Sequence, residues 1–324
     1  MACASDLLVI GGGPAGLAAA INGASEGLIV RMLDAGVSLG GQARESSAIE
    51  NYPGFPDGVT GDELMSCFVR QAHKFSATML CPLAAARINR DGEHIIVTTD
   101  DYQEFVTRAV LISIGLSYRR LNASGLGQLM GRGIFYGMPP ARVQVTKACN
   151  VAVVGGANSA GQAVTKLASN PRVKVKMFVR KTLDAQMSTY LVDRIRSLPN
   201  VEVFEHSEVT AAHGRRALES ITVRNNGVDE ELAMDYLFIF IGAVPKTMWL
   251  QESLQLDEGR YIRTWTDVVY EIDQGPVRSA LPYETSMPGV FAAGDVRAGS
   301  TKRIATAIGE GAGALQMIHG YFGL

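Results

Sequence analysis

Asp6-Leu7-Leu8-Val9-Ile10-Gly11-Gly12-Gly13-Pro14-Ala15-Gly16 runs from an apolar strand through a GxGxxG turn into a helix. The helical run continues through Leu17–Ala24, and a second strand, Leu28–Leu33, ends in Asp34. That order is the dinucleotide fingerprint in the context it requires. Gly11 serves the tight turn, Gly13 lets the backbone approach a pyrophosphate, and Gly16 packs helix on strand. The helix N-terminus offers free N–H groups and a positive dipole end to phosphates. Asp34 has the spacing of an acid that accepts hydrogen bonds from a ribose.

Outward from this unit the pattern recurs. Val151–Val154 reads as a strand, Gly155-Gly156-Ala157-Asn158-Ser159-Ala160 as its turn, and a helix follows through Leu167. Ala157 takes the close-approach position, where its methyl adds bulk against a pyrophosphate. The next strand, Val173–Val179, ends in Arg180-Lys181 rather than an acid. A basic pair there can hold a 2′-phosphate and favour NADP over NAD. The competing reading is a pair of solvated surface charges.

The end of the chain returns to the first unit. Val290–Ala293 reads as a strand, followed by Gly294-Asp295 and a helix from about Lys302 to Gly320. Asp295 is placed to bind flavin hydroxyls, or simply to cap a helix. The helix N-terminus can face a flavin's pyrimidine ring, where negative charge gathers on reduction. The expected fold is α/β, three-layered, with two Rossmann-like nucleotide-binding domains, the second inserted into the first. The expected bounds are 1–118 plus 249–324 for the first domain and 119–248 for the second. Val110–Ile114 and Leu237–Ile241 read as linker strands between them.

Composition agrees with this class. In 324 residues, 47% are apolar, enough for substantial cores, and the 35 glycines cluster at turns after apolar runs. A net charge of −2 argues against nucleic acid as an obligate partner. The longest apolar run, Leu237–Val244, is too short to span a membrane. Met1–Ser5 leads straight into a buried-type strand with no secretory leader, so a cytoplasmic protein is expected. The five histidines are scattered without metal-ligand spacing, and no metal is expected.

Taken together, these motifs resemble the low-molecular-weight thioredoxin reductases over nearly the full chain. The resemblance runs through Gly11–Gly16, Gly40-Gly41-Gln42, Glu50-Asn51-Tyr52-Pro53-Gly54, the second nucleotide motif and Gly294-Asp295-Val296. It implies FAD held by Gly11, Gly13, Gly16, Asp34, Gly41, Gln42, Asn51, Gly294, Asp295, Arg303 and Ile304. Gln42 and Asn51 would lie near the flavin ring, and Asp295 on the ribityl chain. It also implies a homodimer, and a small redox protein or small molecule as electron partner. A second nucleotide would use Gly155, Ala157, Asn158, Ser159, Ala160, Arg180 and Lys181. Phe240–Pro245, Met187–Leu191 and Lys302–Gly311 are similar to a divergent branch; related flavoproteins include a diflavin type with a second FAD in the nicotinamide domain.

The departures carry most of the functional information. The family's Cys-x-x-Cys slot maps onto Gly137-Met138-Pro139-Pro140, so Gly137 and Pro140 replace both cysteines, and the acid that follows becomes Ala141. The His-Arg-Arg-x-x-x-Arg signature for NADPH becomes Val179, Arg180, Lys181 and Ala185. The catalytic residues are therefore not named by the motif. The expectation is an FAD-dependent oxidoreductase that exchanges electrons between FAD and NADPH or a second FAD. Two alternatives stand beside it: a diflavin disulfide oxidoreductase with a non-local cysteine pair, and a flavin-bound sensor with little turnover. Tyr136, just before the slot, reads as a core tyrosine or as a partner for a ring system. Cys3, Cys67, Cys81 and Cys149 form no CxxC, and each reads as a buried small hydrophobe. Cys67 and Cys81 are the pair that a helix and the following strand could bring together.

Overall fold

The computed structural model describes residues 5–46, 49, 51–137, 145, 148–268 and 279–323. It divides into two compact units, Met1–Ser117 with Val244–Leu324, and Tyr118–Ala243. The second is an insertion in the first.

In the first unit, β1 (Ser5–Ile10), α1 (Pro14–Ser25) and β2 (Val30–Leu33) form the opening βαβ run. A short α2 (Gly41–Arg44) and α3 (Gly61–Lys74) precede β3 (Thr78–Leu80). The strands β4 (Ala85–Asp91), β5 (His94–Thr99) and β6 (Glu104–Ile112) follow; β17 (Val290–Ala292) and α7 (Ile304–Phe322) come from the end of the chain. The sheet order is β3-β2-β1-β6-β5-β4, with β17 also on β6. The strands β3, β2, β1, β6 and β17 pair in parallel, whereas β4, β5 and β6 form an antiparallel meander. The continuous apolar run of β1 follows from burial on both faces. Leu7 and Val9 join a core with α1, α3 and α7, while Leu8 and Ile10 join the core under the meander.

The inserted unit repeats this plan. It contains α4 (Leu126–Leu129), β8 (Ile134–Tyr136), β9 (Cys149–Val154), α5 (Asn158–Ala168), β10 (Val173–Phe178), α6 (Thr189–Arg196) and β11 (Val201–Phe204). The meander β12 (Ser207–His213), β13 (Ser220–Asn225), β14 (Val228–Ala233) and the returning β15 (Tyr236–Ile239) complete it. Its parallel sheet runs β11-β10-β9-β15-β8. Val151 and Val153 of β9 face α5 and α6, and Ala152 and Val154 face the meander. Each unit thus has helices, a parallel sheet and an antiparallel meander as its layers, the Rossmann-like arrangement expected.

One expectation is corrected. Val110–Ile112 belongs to β6 and Leu237–Ile239 to β15, and both are interior strands of their sheets rather than linkers. An apolar strand ending in glycine reads alike in either role. The chain instead crosses between the units at β7 (Ser117–Tyr118) and β16 (Ala243–Val244), which pair with each other.

Candidate functional site

In the first unit the turn after β1 is packed from two sides. Gly11 has φ +104°, and a Cβ there would lie 2.5 Å from the Ser113 carbonyl oxygen; a Cβ on Gly16 would lie 2.0 Å from the Gly11 oxygen. Only glycine meets both demands. Gly13 precedes α1 in extended conformation, Pro14 opens the helix, and no side chain caps it. The first-turn N–H groups are left to face an anion. Nothing stands within 4 Å of where a Gly13 Cβ would be, and a Cβ on Gly41 would lie 3.3 Å from Gly13 Cα.

Asp34 braces this turn. Its Oδ2 accepts the Gly12 N–H at 2.5 Å and its Oδ1 the Gly36 N–H at 2.7 Å. Gln42 on α2 donates through Nε2 to the Leu116 carbonyl at 2.6 Å, and Asn51 is exposed. Arg44 anchors α2, donating to the Leu39 carbonyl at 2.9 Å and pairing with Asp62 at 2.7 Å.

The strand β17 delivers Gly294 and Asp295 into the same unit. Burial pushes the Asp295 carboxyl above the usual carboxylate range; nearby Lys302 opposes this and Glu310 reinforces it. Lys302 donates through Nζ to the Asp295 carbonyl at 2.8 Å and lies 4.5 Å from the Tyr261 ring centroid. Burial lowers the Lys302 pKa, against the pull of Asp295 and Glu310. Arg303 sits at the N-cap of α7, and Ile304 is its first residue. Sequence reasoning misses Glu310 altogether. Its carboxylate is buried and accepts from the Gly294 N–H, Arg297 and Ser300.

In the inserted unit, Ala157 occupies the N-cap of α5 in extended conformation, again without a side-chain cap. Asn158 is committed elsewhere: its Oδ1 accepts the Ser188 N–H at 2.8 Å and its Nδ2 donates to Ser188 Oγ at 2.9 Å. What Asn158 leaves for a ligand is its backbone. Ser159 is exposed and Ala160 buried. Arg180 and Lys181 are exposed after β10, with no ion-pair partner among the described residues. Glu205 accepts the Leu183 N–H at 2.8 Å and so pins their turn.

Residues 5–311 match the pyridine nucleotide-disulphide oxidoreductase family. The chain belongs to that family. It is a thioredoxin reductase-like flavoprotein and an FAD-dependent oxidoreductase. Its fold matches a thioredoxin reductase from Streptococcus pyogenes with TM-score 0.75 and 28% identity, covering 100% of this chain and 99% of that one. A thioredoxin reductase from T. acidophilum gives TM-score 0.70 at 26% identity, with 98% of each chain covered. A component of alkyl hydroperoxide reductase in Staphylococcus epidermidis is 30% identical over 95% of this chain. The chain spans 57% of that relative's length.

Family membership sharpens the question of the disulfide slot. Gly137, which the resemblance places at the start of that slot, stands at φ +83°; Met138, Pro139, Pro140 and Ala141 lie outside the described residues. Tyr136 is half-buried. Its hydroxyl accepts the Leu121 N–H at 2.8 Å, and its ring stacks on Tyr118 with centroids 5.9 Å apart.

The cysteine expectation is corrected for the described residues. Cys67 and Cys81 are exposed and Cys149 is half-buried; all three are free thiols, and Cys3 lies outside the described residues. On α3 the buried set is Gly61, Leu64, Met65 and Ala72. At 3.6 residues per turn that stripe is centred between Leu64 and Met65, and Cys67 falls on its far flank. Cys149 opens β9 at the end opposite the Gly155 turn. Burial, then Asp235, pushes its thiol pKa up, which disfavours a reactive thiolate. Among the described residues, no cluster of three His, Cys, Asp or Glu could hold a metal, and no helix is long and apolar enough to cross a membrane.

Proposed function

We propose that the chain exchanges electrons between an FAD held in the first unit and a second redox nucleotide held in the inserted unit, without a CxxC disulfide. The observation that carries this is the turn before α1. Uncapped N–H groups, the open space beside Gly13, and a carboxylate at Asp34 fit a pyrophosphate and its ribose. The half-buried Asp295 fits the ribityl hydroxyls, and the α7 N-terminus that Arg303 caps and Ile304 opens fits the pyrimidine end, with the Arg303 N–H itself held by the Thr301 carbonyl at 2.7 Å. Gly11 and Gly16 shape the turn, Gly294 positions Asp295, and Gln42 and Asn51 would lie toward the ring. Bound FAD supplies two-electron chemistry, and these residues bind and orient it.

NADPH is the favoured second nucleotide. The exposed pair Arg180 and Lys181 suits a 2′-phosphate, and the first-turn amides at Asn158 and Ser159 suit the pyrophosphate, whereas the Ala160 N–H donates to the Ala157 carbonyl at 3.0 Å. Ala157 and Ala185, which depart from the NADPH pattern, support a second FAD as the alternative. The working molecule is a cytoplasmic homodimer, serving a small redox protein or a small-molecule acceptor. Anaerobic titration with NADPH separates the readings. A flavin band that does not bleach removes the nicotinamide version, and a flavin-to-protein ratio near one removes the diflavin version. Disulfide turnover that persists in Cys67→Ser and Cys81→Ser excludes that pair as a relocated thiol site. No turnover with any artificial acceptor leaves a flavin-bound sensor.

A further inference from the structure

We propose that Glu310 is a positioning residue for the flavin site, fixing the Gly294–Ser300 turn and setting the potential of the bound flavin through its buried charge. The proposal rests on FAD binding in the first unit.

Glu310 is 6% exposed. Its Oε2 accepts the Gly294 N–H at 2.7 Å and Arg297 Nε at 3.1 Å; its Oε1 accepts Arg297 Nη2 at 2.6 Å and Ser300 Oγ at 2.8 Å. Each carboxylate oxygen is thus doubly engaged, and every donor comes from the turn that carries Asp295. The neighbouring residue extends the connection. A Cβ on Gly311 would lie 2.1 Å from the Ala15 carbonyl oxygen, so this turn of α7 rests directly on the first turn of α1. Glu310 therefore ties the Asp295 turn to a helix that packs against the Gly11–Gly16 loop.

Stability alone is a poor reason to keep such a group. A buried ion pair costs desolvation, and apolar replacements are often neutral or better. Its placement is the informative part. The charge reaches the cofactor turn, since Glu310 pushes the pKa of both Asp295 and Lys302 upward. A negative charge there opposes the negative charge that gathers on a reduced flavin.

The test compares the full chain with Glu310→Gln and Ser300→Ala, each stripped of flavin and titrated with FAD. Affinity, the two-electron midpoint potential of the bound flavin and far-UV circular dichroism of the stripped protein are measured. Glutamine keeps the size but faces one set of donors with an NH2 group. Loss of charge-assisted hydrogen bonds should weaken FAD binding by about tenfold or more. The potential should move to a more positive value, because Arg297 is left uncompensated. Ser300→Ala keeps the charge and strips one donor from it, so affinity should fall by about threefold to tenfold. Its potential should move the other way. A merely structural role gives no such reversal. Wild-type affinity and potential in a folded Glu310→Gln overturn the proposal. So does an FAD loss that tracks the unfolded fraction with the potential unchanged. If Glu310→Gln does not fold, an unchanged potential in Ser300→Ala overturns it. A wild-type chain that takes up no FAD refutes the cofactor assignment instead.

Discussion

Gly137 stands where the resemblance expects the family's first redox cysteine, in a backbone conformation that favours glycine. At φ +83° a side chain is strained even though space is available, the nearest atom to a Cβ being the Tyr118 hydroxyl at 3.8 Å. Gly137→Cys should therefore cost about 1–2 kcal/mol in urea unfolding, and it should not restore disulfide turnover. Asp295 gives a second prediction at this scale. Its folded pKa is raised, chiefly by burial, so the folded protein binds the proton more tightly than the unfolded chain. Its contribution to stability then falls as pH rises from the ordinary aspartate range through the raised value. Without flavin, Asp295→Asn should have a higher unfolding midpoint than wild type at neutral pH, and the gap should close in acid. A constant gap across pH would contradict the assigned shift. Single residues were unevenly legible. Gly11 and Gly16 could be read because their constraints are local. The partner of Asn158 is Ser188, thirty residues on, and no spacing rule links them. Glu310 had a signal: the buried Ala307 and Ala314 lie three residues before and four after it, on one helical face.

Among the elements, α3 shows how a local code fixes a boundary. Thr60 Oγ1 accepts the Glu63 N–H at 3.2 Å, and Glu63 accepts the Thr60 N–H at 3.1 Å, a reciprocal capping box. Arg44 joins this helix to α2 through Asp62, so its start also positions Gly41 and Gln42. Thr60→Ala should destabilise the protein by about 0.5–2 kcal/mol, read from urea unfolding. The hydrogen bonds from Thr60 lower the Glu63 pKa, so the stabilisation from that carboxylate is present above the ordinary glutamate range and lost in acid. The paired βαβ runs were legible as elements because apolar strands, glycine turns and helices follow one another within short spans. The roles of Val110–Ile112 and Leu237–Ile239 were not, since sheet order is set by partners far along the chain.

For the whole molecule, the repeated plan gives each unit cores on both faces of its parallel sheet, from α5, α6 and the meander in the inserted unit. Residues 118–243 expressed alone should therefore fold, giving a single cooperative thermal transition and a dispersed NMR spectrum. A collapsed, non-cooperative product would show that the insertion depends on its host. The pairing of β7 with β16 has a consequence of its own. Neighbouring strands lie roughly 5 Å apart, so the point where the host chain is left and the point where it is rejoined are adjacent. The insertion should therefore behave as a cassette. Its removal leaves a gap that a tight turn can close, and another folded module with adjacent ends could occupy the same place without altering the register of the host sheet.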